Sequence, residues 1–308
     1  EMAATAGGGI EISLGEIGSG TLGSIKEPSM DDVSWKSTVK LGEYYGNIGK
    51  LQPASSVNGN NLFYADDNGI IAGGKVVQNG TDVKATATTD EVGLSVKESY
   101  DATGTNTTLV TAATPKNGRY LDIPMWIRTS KKDKTKVSCE VDIVDASNGE
   151  SVKVNDGTEL KKAVRVSVIP IGKANITTTA NTNTLKITKA DAYTSSTTNL
   201  NVYGLTFDSY SQKDGANEGI SKAKTTETTY SELLDSISAN TVSVVTGDEN
   251  HDDTAEIFTL DAAGDDSYSV QSFVVRVWLE GESKFCNDAT AAQDWNISLK
   301  FTGKDVTE

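Results

Sequence analysis

Period-two alternation of apolar and polar residues is the pattern that most constrains this chain. In WNISLKF, Trp295, Ile297, Leu299 and Phe301 share one face, while Asn296, Ser298 and Lys300 share the other. In AVRVSVIP, Val164, Val166 and Val168 oppose Arg165 and Ser167. VVRVWLEG repeats the design, with Val275, Val277 and Leu279 against Arg276, Trp278 and Glu280. VSCEVDIV gathers Val137, Cys139, Val141 and Ile143 on one side. YLDIPMWIRTS sets Leu121, Ile123, Met125 and Ile127 against Pro124 and Trp126. A proline cannot donate to a ladder, so this strand is expected at an edge or a bulge.

Turn-forming clusters separate such segments: NGNN at 58–61, DDNG at 66–69, QNGTD at 78–82, SNGE at 147–150 and NDGT at 155–158. Many antiparallel strands with one apolar face each must stack in two layers. The expected fold is therefore all-β: a jelly-roll-type antiparallel β-sandwich with inserted loops and hairpins. A helix is expected at 228–240, TTYSELLDSISAN, where Leu233, Leu234 and Ile237 form a stripe behind a Thr or Ser cap. A second short helix or turn is expected in NDATAAQD, after Cys286. Residues 172–228, rich in Thr, Ser, Asn and Lys, read as a surface insertion. No linker divides the remainder, so 27–308 is expected to be one sandwich domain behind a distinct segment, 1–26.

A formal charge of -15 disfavours nucleic acid and anionic lipid as partners. No run approaches the roughly 20 apolar residues of a membrane span. Glu1 reads as the end left by removal of a leader, which places the mature chain outside the cell or on its surface.

The segment EMAATAGGGIEISLGEIGSGTLGSIK is small and glycine-rich, yet it contains one apolar strand face: Ile10, Ile12 and Leu14 in GIEISL. Two readings stay open. The segment is the first strand of its own sheet, or residues 9–14 are a donor strand that completes the sheet of a neighbour through main-chain bonds and alternate side chains. A contact of the second kind, passed head to tail, does not close and makes fibres.

GGIEISL followed by VSW, then LQPASSVNGNNLFYADDNG, RYLDIPMWIRTS, VVRVWLEGESKFCND and WNISLKFTG, resemble secreted matrix and filament proteins of Gram-positive bacteria, the camelysin/TasA class. The likeness spreads over most of the chain and lies in framework segments. It implies a jelly-roll subunit, secretion, and a homopolymer assembled by strand donation in a biofilm matrix or surface fibre, with matrix polysaccharide as a further partner. Some camelysins are described as proteases. This chain departs from a zinc-protease pattern: it has no HExxH, and His251 is its one histidine.

Other chemistry is weakly marked. His251 sits in the acidic turn GDENHDD and reads as a solvated loop residue. Cys286 lies among Glu280, Glu282 and Asp288, a poor setting for a thiolate nucleophile. Cys139 and Cys286 are either disulfide partners or free thiols. The turns at 66–69, 214–219, 247–253 and 261–267 are oxygen-rich enough for calcium, but none has EF-hand spacing, and polar turn chemistry explains them. The sequons at Asn106, Asn175 and Asn296 are expected by chance. Trp126, Trp278 and Arg276, on the faces opposite the core, are candidate contacts between subunits. The expectation is a non-enzymatic filament subunit needing no cofactor. The alternative is a monomeric surface adhesin or carbohydrate-binding module, with exposed aromatics as its sugar platform.

Overall fold

A computed structural model describes residues 2–17, 25–31, 33–40, 48–51, 53, 55–56, 62–66, 69–72, 75–78, 81–84, 116–118, 120–145, 160–178, 201–204, 242–245, 256–281, 283, 285–286 and 295–306. Eleven of its strands build a sandwich. In chain order they are β1 (Met2–Gly7), β2 (Glu11–Ser13), β3 (Thr38–Lys40), β4 (Tyr120–Thr129), β5 (Thr135–Asp145), β6 (Val164–Thr177), β7 (Asn201–Gly204), β8 (Val242–Val245), β9 (Glu256–Leu260), β10 (Ser267–Leu279) and β11 (Trp295–Asp305). One sheet has the order β9-β5-β11-β1-β3, the other β8-β7-β6-β10-β4-β2. Pairing is antiparallel except for β1 with β11 and β7 with β8. The chain is thus an all-β sandwich, as its alternation dictates. Among the described residues no helix is long and apolar enough to cross a membrane.

Shorter strands lie outside the two layers. Ser55–Ser56, Leu62–Asp66, Gly69–Ala72, Lys75–Gln78 and Thr81–Lys84 form a meander. Its pairings Asp66↔Gly69 and Gln78↔Thr81 bracket the DDNG and QNGTD signals. Lys116–Gly118 pairs with Ile48–Leu51, and Glu16–Ile17 with Ile25–Lys26.

The alternating residues meet between the sheets. Val137, Cys139, Val141 and Ile143 of β5 and Ile297, Leu299 and Phe301 of β11 face Leu121, Ile123, Met125 and Ile127 of β4 and Val275 and Val277 of β10, all at most 2% exposed. Phe273 sits at the centre, its ring 5.5 Å from Phe258 and 5.4 Å, edge-on, from Phe301. Quadrupoles favour such tilted contacts over flat stacking. Outside the five-stranded sheet, Glu140 pairs with Lys300 across β5 and β11 at 3.1 Å, in water. Exposed pairs of this kind add little stability.

The proline expectation is corrected for the strand and holds only locally: β4 is neither an edge strand nor bulged, since β2 lies outside it and its register with β10 is continuous. Pro124 pairs in register with Val274 on one side, while β2 ends at Ser13↔Trp126, short of it. A second proline, Pro170, stands at the bulge of β6. Three further expectations change. The surface insertion does not begin at residue 172, because β6 runs unbroken in the sheet to Thr177. Residues 1–26 are not set apart from the sandwich, because β1 lies inside one sheet and β2 joins the other. Residues 9–14 are not one strand, because the chain changes sheets there. The expected helices at 228–240 and 287–294 lie outside the described residues. A short 3-10 turn, Leu160–Ala163, was not anticipated.

Phe273 supplies the core's central aromatic contacts. Phe273→Ala is expected to cost about 3–5 kcal/mol, read as a lower midpoint in urea unfolding with an unchanged slope.

Candidate functional site: the N-terminal arm and its seat

The first fourteen residues form an arm that serves both sheets. β1 lies between β11 and β3, parallel to the first from Met2↔Ile297 to Gly7↔Thr302 and antiparallel to the second from Ala3↔Lys40 to Thr5↔Thr38. Its inward residues Met2 and Ala4 are buried. The arm then leaves this sheet. Gly8 and Gly9 take φ of 71° and 80°, a region that favours glycine. A Cβ on Gly8 would overlap the carbonyl oxygen of Gly303 in β11, and a Cβ on Gly303 would meet Ile10 at 2.8 Å. Two glycines thus let one backbone cross directly over another.

Beyond the crossing, the arm joins the second sheet. Thr129 Oγ1 donates to the Gly9 carbonyl at 2.8 Å. β2 pairs with β4 through Glu11↔Arg128, Ile12↔Ile127 and Ser13↔Trp126. Ile10, Ile12 and Leu14, the residues singled out in the sequence, are 4%, 0% and 0% exposed and belong to the chain's own core. Within this single chain the segment is seated in cis.

A strap, residues 27–40, covers the arm's outer flank. Ile12 and Lys36 exchange both backbone bonds at 2.9 Å, and the Ala6 N–H donates to the Ser37 carbonyl at 2.8 Å. Arg128 fastens arm and strap together. Its Nε donates to Glu11 Oε2 at 2.8 Å and its Nη1 to the Met30 carbonyl at 2.9 Å. The guanidinium lies 4.8 Å from the Trp35 ring centre and 4.0 Å from that of Tyr268. Such cation–π contacts strengthen when water is excluded, and Arg128 is 1% exposed.

Glu16, just past the arm, makes a second clasp. It accepts the Ser29 N–H at 3.0 Å and the Ser34 hydroxyl at 3.2 Å. Hydrogen bonding from Ser29, with a contribution from Ser34, holds its carboxyl below the usual range, against the opposing pulls of burial and Asp31.

The proposed subunit contacts are corrected. Trp126, Trp278 and Arg276 are 2%, 1% and 1% exposed, so they offer no free surface. The outer face of the six-stranded sheet is itself buried: Arg128, Arg165, Ser167, Ser272, Val274 and Glu280 share that burial. Several of its polar groups bond in place, though Arg165 Nε is buried and makes no hydrogen bond. Arg165 Nη1 donates to the carbonyls of Lys162 and Val164, and Trp278 Nε1 donates to Glu280 Oε2 at 3.2 Å. Alternating Arg and Ser read as a wet face because side-chain polarity hides long apolar stems. Trp35 is also buried and Trp295 half-buried, so no tryptophan stands exposed for a sugar platform; of the tyrosines, only the buried Tyr203 and half-buried Tyr268 have described side chains.

The disulfide reading is also corrected. Cys139 and Cys286 are free thiols. Cys139 points into the core opposite Phe301, whereas Cys286 follows β10 in a turn held by Ser283. Burial raises both thiols; Cys286 is pushed up to about 12, with Glu280 adding to the shift and Arg165 opposing it. Neither is a thiolate at neutral pH.

The acidic turn 261–267 engages lysines: Lys173 pairs with Asp261 at 3.1 Å and Lys132 with Asp265 at 3.2 Å. Among the described residues no three His, Cys, Asp or Glu side chains gather as metal ligands. His251 and the turns at 214–219 and 247–253 lie outside the described residues, as does Asn106. Glu282 does too. Asn175 is exposed on β6, and Asn296 lies within β11 as expected.

Two outcomes follow from this geometry. Gly8→Ala is expected to cost more than the roughly 1–2 kcal/mol of a left-handed alanine alone, because its Cβ also meets Gly303; Gly7→Ala, with open space around it, is the matched control in thermal unfolding. Because the folded-state pKa of Glu16 is lowered, its contribution is complete above the unfolded value and lost as pH falls through the folded one. The stability gap between wild type and Glu16→Gln is expected to hold near neutrality and close as pH falls through the carboxylate range. No protein-family model, no curated protein and no solved structure matches the chain.

Proposed function

We propose that this chain is a non-enzymatic structural subunit of an extracellular filament, in a biofilm matrix or surface fibre. It grows head to tail by passing its N-terminal arm into the seat of the next copy. The resemblance to the camelysin/TasA class, with its jelly-roll subunits and secretion, points the same way.

The observation that carries the reading is the arm's position. β1 is an interior strand of its sheet, fourth of five, yet the strand it pairs with in parallel, β11, is the last of the sandwich in chain order. An empty seat would bare the ladder groups of β11 and β3 and the core beside them. The seat therefore demands an arm, but nothing in its chemistry demands the arm of the same chain. Exchange replaces each contact by an identical one, which is why swapping an element costs little at equilibrium. Where one chain's arm enters a second chain's seat and the second's arm enters a third's, the contact is heterologous and propagates. The donated segment is then residues 2–14, longer than GIEISL alone, with Ile10, Ile12 and Leu14 filling the second-sheet half.

A reversible staple tests this without truncating the protein. Thr5 and Lys300 are register partners, both exposed, on adjacent strands. Strands about 4.8 Å apart lie within disulfide reach. In the Thr5→Cys/Lys300→Cys chain, oxidised as a monomer, electron microscopy is expected to show discrete particles; after reduction, filaments. Filaments from the oxidised monomer would remove the arm from assembly. Discrete particles from reduced and wild-type chains alike would end the filament reading.

A further inference from the structure

We infer that Arg128 is the register reader of the seat: it selects the arm by a carboxylate placed at Glu11, immediately before the buried Ile12. This rests on the strand-exchange reading above and names the residue that makes the exchanged contact specific. The partner it reads is the arm of a second copy of this chain.

The need for a reader lies in the arm's own sequence. Ile10, Ile12 and Leu14 are spaced by two. A slip of one residue turns them out of the core and is excluded by burial. A slip of two leaves an aliphatic residue opposite Ile127 either way, Ile10 in one direction and Leu14 in the other. Two of the three buried slots thus stay aliphatic after either slip, and apolar packing opposes these slips only at the third, which receives Gly8 or Glu16. Polar chemistry adds a second discrimination. In the true register Glu11 is the cross-strand partner of Arg128. After a slip of two, Arg128 would face Gly9 or Ser13, and neither carries a charge.

Arg128 is built to register that difference. It is 1% exposed and its plane is fixed between Trp35 and Tyr268. Its Nη1 is held by the Met30 carbonyl while its Nε is aimed at Glu11 at 2.8 Å. A guanidinium so held presents its donor in one direction, and charge-assisted bonds are the strong class. The Gly8–Gly303 crossing penalises the same slips by steric exclusion, since Ala6 or Ile10 would then stand where only glycine fits. Gly8 repels the wrong registers and Arg128 rewards the right one. Glu11 itself is 45% exposed, so its replacement disturbs no packing.

In a pure population, closed monomer and exchanged polymer contain the same contacts, so a Glu11 substitution largely cancels between them. Competition by a free arm does not cancel. The test therefore adds synthetic peptides of residues 1–16 to full-length wild-type protein during assembly, where a seated peptide terminates growth. The readouts are light scattering and filament length in micrographs. Peptides carrying Glu11→Gln or Glu1→Gln raise the net charge equally, the second outside the paired run Met2–Gly7. The Glu11→Gln peptide is expected to need about tenfold more for equal inhibition, while the Glu1→Gln peptide matches wild type. Equal potency of Glu11→Gln and wild-type peptides would overturn the role of Arg128 and leave strand exchange standing. A parallel loss with both variants would reduce the effect to net charge and also overturn it. Wild-type peptide inert at every concentration, with filaments growing normally, would remove strand exchange and this inference with it.

Discussion

At one corner of the sandwich, the backbone of Gly8 lies directly on that of Gly303. A short N-terminal segment supplies an interior strand to one sheet and the edge strand of the other by crossing between them. The crossing is passable only because neither residue has a Cβ and because Gly8 and Gly9 adopt positive φ. Ile10 enters the core immediately afterwards, close against Gly303, so the aliphatic arm pattern acquires its depth from that contact. Strap, clasp and seat are arranged around it.

The six-stranded sheet shows how charge is tolerated inside such a layered fold. Its second face holds three arginines, a glutamate and two tryptophans out of contact with water. Each guanidinium bond described there runs to a backbone carbonyl or to an acidic side chain. Isolated buried charges are costly, and bonded ones become rigid orienting groups. Arg128 illustrates the second outcome: stacking fixes its plane, and its bonds bring together the strap and the arm, distant in sequence from β4.

How much of this was legible in the sequence follows from what alternation measures. Val137 to Ile143 and Ile297 to Phe301 declared their faces because one side was apolar and the other plainly polar, whereas Leu121 to Ile127 did so by alternation alone, against Pro124 and Trp126. The all-β class followed from them. The same rule failed on Arg276, Trp278 and Trp126, because alternation separates two faces without saying that both are covered. It failed again at residues 9–14. A run of three glycines flanking an aliphatic strand was visible, but a tail and a crossing share that composition. Only the partner glycine in β11, almost the whole chain away, decides between them. Arg128 left no local mark at all: its ligands Glu11, Met30, Trp35 and Tyr268 are contributed by three other parts of the chain, and single-sequence periodicity carries no information on such encounters.

The parallel pairing of β1 with β11 has a consequence for timing. The first strand of the sandwich in chain order is hydrogen-bonded, along its whole length, to the last strand of the sandwich. Residues 2–7 must wait for residues 297–302 before that side of the ladder exists. Closing so long a loop is entropically slow. Throughout synthesis, and again during any passage of the chain in extended form, the arm has no neighbour on that side from its own molecule. The β11 side of β1 is thus among the last parts of the ladder to form, whereas its β3 side, closed by residues 38–40, is available early.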